Sequence, residues 1–130
     1  MHQWVLLVYR VPPQPTSLRV YVWRKLKRLG AMLLHDAVWV LPATPRNREH
    51  LQWLAAEIAE LGGESLLWEA RLVLGQEEEL VRRFVAQVES AYREILRELE
   101  RGDADLAALS RRYQQVRAQD CFRSELGERV

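Results

Sequence analysis

The chain has one cysteine, Cys121, among its 130 residues, so no disulfide can form within it. It also lacks any apolar run near the roughly 20 residues that a bilayer crossing requires. The N-terminal apolar stretch is cut by Arg10, Pro12 and Pro13 before it could serve as a secretory segment. These absences predict a cytoplasmic protein with no membrane partner. The histidines, His2, His35 and His50, show no i,i+3 or i,i+4 spacing, which argues against a metal site and leaves no cofactor to expect. No glycine-rich phosphate loop is present, because Gly62 and Gly63 sit where a helix would stop.

One sign of charge is missing from a whole region. Residues 1–35 contain no Asp or Glu, yet they hold Arg10, Arg19, Arg24, Lys25, Lys27 and Arg28. From Asp36 onward 18 acidic side chains outnumber 13 basic ones, so the net charge of +1 hides a positive field confined to one end. A local basic block points to an anionic partner, and a merely solvated helix face is the plain alternative.

Period-two and period-3.6 patterns alternate over the first three-fifths of the chain. Trp4 to Val11, a β-prone apolar run stopped by Pro12 and Pro13, reads as a strand buried on both faces. Thr16 or Ser17 would cap a helix in which Leu18, Val22, Leu26 and Leu29 form one stripe. Arg24, Lys27 and Arg28 fall opposite that stripe, and Gly30 ends the helix. Ala31 to Leu41 reads as two short strands, with the alternation slipping around His35 and Asp36 as a tight hairpin or bulge would cause. The Asp36 side chain would bond local backbone in that turn. Beyond Pro42 and Pro45, Leu51, Leu54, Ala55, Ile58 and Leu61 trace a second amphipathic helix. Glu64 to Leu74 then alternates, with Leu66, Trp68, Ala70, Leu72 and Leu74 on one face. The order β-α-β-β-α-β predicts an α+β fold, a ferredoxin-like domain over residues 1–75.

Residues 76–130 predict a helical extension. Leu80, Phe84, Val88, Ile95 and Leu99, with Val81, Val85, Tyr92 and Leu96 beside them, mark a long helix. Its acidic first turn, Glu77 to Glu79, suits the helix dipole, and Glu78 with Arg82 and Glu79 with Arg83 are spaced as i,i+4 pairs. Gly102 would end it. Asp103 would cap a last helix striped by Leu106, Leu109, Tyr113 and Val116. The near-heptad stripes predict an antiparallel hairpin that packs on the first domain or on a second subunit. An apolar sheet face left over by the two helices must be covered by that hairpin or by another copy, which makes a homodimer the expected assembly.

The segments WVLLVYRVP (Trp4 to Pro12), SLRVYVWRKLKRLGA (Ser17 to Ala31), AVWVLP (Ala37 to Pro42), NREHLQWLAAEIAELGGE (Asn47 to Glu64) and LLWEARL (Leu66 to Leu72) resemble the N-terminal domain of ChrB, the chromate-resistance regulator. The stretch RRYQQVRAQDCF (Arg111 to Phe122) is similar to the end of the same region. The resemblance implies a bacterial transcriptional regulator of a chromate-efflux operon. This region would carry or support DNA binding, and a further C-terminal domain, not among these residues, would answer the oxyanion effector. The same order of strand, basic helix, glycine and strand is similar, more widely, to the small CRISPR adaptation subunit and to the middle domain of the PaaX repressor. In nuclease-like members of that fold an aspartate ending the first strand can hold a divalent cation. Arg10 stands there in this chain, so metal-dependent cleavage is not expected and no catalytic residue is assigned.

DNA phosphates would then be neutralised by Arg19, Arg24, Lys25, Lys27 and Arg28, which gives affinity without choosing a sequence. The competing reading is a non-catalytic dimeric ferredoxin-like scaffold that binds protein, and a weaker one is a metal-dependent nuclease of the CRISPR-associated type. The tryptophans divide accordingly. Trp4, Trp39 and Trp68 suit a core or sheet face. Trp23, beside Arg19 and Lys27, suits either a base or a packed neighbour, while Trp53, among Glu49, Glu57 and Glu60, suits a protein interface. Cys121, with Arg117 and Arg123 near it in sequence, is either a reactive thiol or an inert helix-end residue. A tetrahedral oxyanion would want convergent arginines, for which Arg10, Arg19 and Arg71 are the side chains available.

Overall fold

The computed structural model describes residues 2–35, 38–102 and 105–122. Among them the chain runs β1 (Trp4–Arg10), α1 (Thr16–Leu29), β2 (Met32–His35), β3 (Val38–Pro42), α2 (Pro45–Glu60), β4 (Glu64–Ala70), α3 (Glu77–Arg101) and α4 (Leu106–Gln119). It divides into two compact units, Met1–Leu74 and Gly75–Val130.

In the first unit the four strands form one antiparallel sheet in the order β2-β3-β1-β4. Val5 pairs with Leu41 and Glu69, and Leu7 with Trp39 and Leu67, so these side chains share a face. α2 lies over β4 and β1 on that face, and α1 lies beside α2. Val5, Leu7, Trp39 and Leu41 are buried there with Val22 and Leu26 of α1 and Leu51, Leu54 and Ile58 of α2. The expected stripe of α1 therefore holds, with Leu18 and Leu29 half-buried at its ends.

β1 is not buried evenly on both faces. On the face opposite Val5 and Leu7, Trp4 is buried, but Leu6 and Val8 are only half-buried and Arg10 is exposed. β2 and β3 form the expected pair of short strands. Their register slips between Leu33 and His35, where Leu33 pairs with Trp39 but His35 with Val38. Asp36, expected to bond backbone in the turn, lies outside the described residues.

The start of α1 departs from the sequence reading. Pro15 is the N-cap of α1 and no side chain caps it, so Thr16 and Ser17 already stand inside the first turn, past the position from which a hydroxyl reaches the free N–H groups. α2 begins instead with Thr44, whose Oγ1 accepts from the Asn47 N–H at 3.1 Å, followed by Pro45 at the first helical position. Asn47 is buried, and its amide donates to the Pro42 carbonyl at 3.0 Å.

β4 stops at Ala70, opposite Trp4, the first residue of β1. Beyond that point no strand is left to accept or donate a ladder bond, so Leu72 and Leu74 fall outside the strand despite their alternation. Leu66 is 59% exposed and Trp68 52%, which makes them sheet-face rather than core residues.

In the second unit Leu80, Phe84, Val88, Tyr92 and Ile95 are the buried stripe of α3, and Leu109 is buried on α4. Leu99 and Leu106, expected on the stripes, are exposed. Later residues of α4 meet earlier residues of α3: Arg112 donates to Glu98 at 2.7 Å, the Tyr113 and Tyr92 rings lie 6.1 Å apart, and Tyr92 donates to Asp120 at 3.1 Å. Gly102 ends α3 at φ 77° with its N–H on the Leu99 carbonyl. Asp103 lies outside the described residues. The cap of α4 is Asp105, whose carboxylate accepts from the Ala107 and Ala108 N–H groups. Arg82 turns to Glu79 at 3.1 Å, an i,i+3 pair, rather than to Glu78, and Arg93 pairs with Glu89 at i,i+4.

Candidate nucleic-acid interface

α1 is a helix without an acid. Pro12 and Pro13 end β1, the helix starts at Thr16, and Gly30 at φ 82° closes it with its N–H on the Leu26 and Lys27 carbonyls. Lys27 and Arg28 occupy the last turn, where cations complement the negative end of the helix dipole. Val22 and Leu26 fix the inward direction. At about 100° per residue, Trp23, Lys27, Arg24 and Arg28 then fan across the solvent side.

The five expected phosphate-binding residues do not all stand together. Arg24, Lys27 and Arg28 share the exposed face. Arg19 flanks it and lies close enough to Tyr9 for its charge to act on that hydroxyl. Lys25 is half-buried and turned to the opposite flank, with its ammonium 5.6 Å from the centre of the Tyr21 ring. Lys27 lies 5.7 Å from the centre of the Trp23 ring, and Trp23 is 49% exposed. Among the described residues none of Arg19, Arg24, Lys25 and Lys27 has a carboxylate within ion-pair reach. Two of these cations rest on rings, a contact that leaves their positive charge uncancelled.

Tyr21 is the site residue that the sequence did not single out. Its hydroxyl donates to the Glu57 carboxylate of α2, which ties one flank of α1 to its neighbour. That bond pushes the Tyr21 hydroxyl above its ordinary pKa of 10.0, with burial adding to it and the Arg28 charge opposing. Thirty-six residues separate the two partners, so no local pattern announces the bond. Tyr9 is also raised, by burial first, against the Trp39 hydrogen bond and the Arg19 charge.

The remaining candidates are dispersed. Arg10, at the end of β1, is exposed and 3.5 Å from Glu64. Arg71 follows Ala70, at the far end of the β1/β4 pair from Arg10, so the two arginines do not converge on an oxyanion. His2 before β1, His35 on β2 and His50 on α2 are all exposed, and no group of three or more metal-ligating side chains exists among the described residues. Arg117 donates to the Tyr113 hydroxyl at 2.8 Å, while Arg123 lies outside the described residues. Trp53, 70% exposed on α2, stands beside Pro45, Arg48, Glu49 and Gln52 on the rim of a shallow groove. No helix among the described residues is long and apolar enough to cross a membrane.

Comparison with known proteins bears on the whole arrangement. Residues 19–108, which begin inside α1 and reach the start of α4, match the family model described as protein ChrB, N-terminal. Protein ChrB of Cupriavidus metallidurans is 40% identical over 60 residues, a stretch that covers 46% of this chain and 18% of that protein. The chain thus matches less than a fifth of the length of this curated relative. No solved structure matches it.

Proposed function

The chain belongs to the ChrB N-terminal family, and from that premise we propose that it is the DNA-contacting part of a transcriptional regulator of chromate resistance. The observation that carries the reading is the face of α1, where Arg24, Lys27 and Arg28 stand exposed on a helix without one acidic residue. A duplex presents one phosphate charge per ~1.7 Å of axis, and a rigid helix bearing aligned cations releases its counterions on binding. Arg19 and Lys25, on the two flanks, would reach phosphates only as the backbone curves past the helix. Such contacts position the protein without reading bases.

The fold supporting this reading is ferredoxin-like, by its β-α-β-β-α-β order and the β2-β3-β1-β4 arrangement of its antiparallel strands. α3 and α4 follow it as an antiparallel hairpin. The working protein is a cytoplasmic homodimer, and the oxyanion effector acts through a domain outside these residues. It is not an enzyme in this reading, since Arg10 repels the cation that a nuclease of related topology would need.

Exposed Trp53, Leu66 and Trp68 favour a second reading, a non-catalytic scaffold that binds protein while the basic helix is only solvated. Titration against promoter duplex and random duplex at two salt concentrations separates the two. The regulator binds both, with affinity falling steeply as salt rises. Absence of binding at the lower salt leaves the scaffold.

A further inference from the structure

The two edges of the sheet are unlike. β2 is four residues long and broken by the register slip at Leu33/His35, features that keep an edge from pairing. β4 is seven residues long and pairs with β1 in seven consecutive partners without a slip. It contains no proline and no lysine, and its solvent-facing positions include Leu66 and Trp68. A long, regular edge strand with an apolar exposed face is a template for another strand.

The sequence of β4, ESLLWEA, also selects its partner. In an antiparallel self-pairing, facing residues must point to the same side of the sheet, so the two-fold axis must pass through a residue rather than between two. With the axis at Leu67, each Leu66 faces the Trp68 of the other copy, Ser65 faces Glu69, Glu64 faces Ala70, and Leu67 faces itself. No like charges meet, and the acidic start of one strand lies by the end that leads into Arg71 of the other. Moving the axis to Leu66 sets Glu64 against Trp68, and moving it to Trp68 sets Leu67 against Glu69. Only the Leu67 axis sets Leu66, Leu67 and Trp68 entirely against one another.

We propose that β4 is the homodimer interface, joining two four-stranded sheets edge to edge with the two-fold axis at Leu67. The proposal rests on the homodimer reading above and adds to it the surface and the register. The occupant is a second copy of this chain; an unrelated peptide strand could use the same edge, but its sequence would not be fixed by β4 itself.

Sedimentation of the full chain over the micromolar range tests it, with variants made in a Cys121→Ser background. Wild type sediments as a dimer. Leu66→Glu alone and Trp68→Lys alone each raise the dimer dissociation constant at least tenfold, while Leu66→Glu/Trp68→Lys together restore it, because each new carboxylate then faces a new ammonium across the axis. Leu67→Cys forms an intermolecular disulfide under mild oxidation, and Trp53→Ala leaves the dimer intact. A chain that is monomeric throughout removes the homodimer reading and this one with it. A dimer that neither responds to the charge pair nor crosslinks at position 67 keeps the homodimer and overturns the β4 interface.

Discussion

The Lys27 ammonium lies 5.7 Å from the centre of the Trp23 ring, on the same exposed side of α1 as Arg24 and Arg28. The ring holds the lysine upright without neutralising it, so the charge stays available to an anion. Changing Arg24, Lys27 and Arg28 to Gln leaves the fold unaltered by circular dichroism, since none of the three is buried. Each lost phosphate contact lowers the magnitude of the log K against log salt slope by about 0.9, equally for every duplex sequence. A triple variant with the wild-type slope places DNA binding elsewhere or removes it from this chain.

Gly63 fills a space that admits no side chain. A Cβ there would stand 2.6 Å from the Arg10 carbonyl oxygen, 2.8 Å from Ile58 Cγ2 and 3.0 Å from Val11 Cγ1. The carbonyl belongs to the last residue of β1, held by the sheet, and cannot swing away as a flexible side chain would. Gly63→Ala is expected to destabilise the protein by roughly 1–3 kcal/mol, the usual cost of overpacking, in urea unfolding.

The caps separate what the sequence discloses locally from what it does not. Thr44→Ala and Asp105→Ala each remove an acceptor for free N–H groups and are expected to cost about 1 kcal/mol. Thr16→Ala and Ser17→Ala, at residues with good capping chemistry, are expected to cost almost nothing because Pro15 occupies the cap position. Thermal unfolding of the four variants checks both halves of this expectation.

The elements of the first unit were legible because a buried stripe imposes its period directly on the sequence. Val22 and Leu26, or Leu51, Leu54 and Ile58, are spaced by the geometry of one turn. The end of β4 was not legible, since Leu72 and Leu74 continue the alternation and only the start of β1 at Trp4 decides where pairing stops. The cations of α1 could be counted from the sequence, and the grouping of Arg24, Lys27 and Arg28 followed from the helical period. The tie from Tyr21 to Glu57 depends on where α2 packs and is not written in α1.

Tyr92 links α3 to the end of α4 and makes that unit sensitive to alkali. Its hydroxyl is pushed up to about 12 from 10.0, by burial first and then by its bond to the Asp120 carboxylate. The folded protein therefore holds the proton more tightly than the unfolded chain does. This contribution to stability is fully present below pH 10 and is lost as pH rises from 10 to about 12. Tyr9 and Tyr21 are raised as well and titrate in the alkaline range, so wild type alone does not isolate Tyr92. The difference between wild type and Tyr92→Phe does. Tyr92→Phe is expected to cost about 1 kcal/mol at neutral pH, for the lost hydrogen bond, and to lose less further stability than wild type above pH 10. Urea midpoints of both proteins, measured at neutral pH and near pH 12, check this; parallel losses would mean that the Tyr92 hydroxyl does not govern the alkaline unfolding.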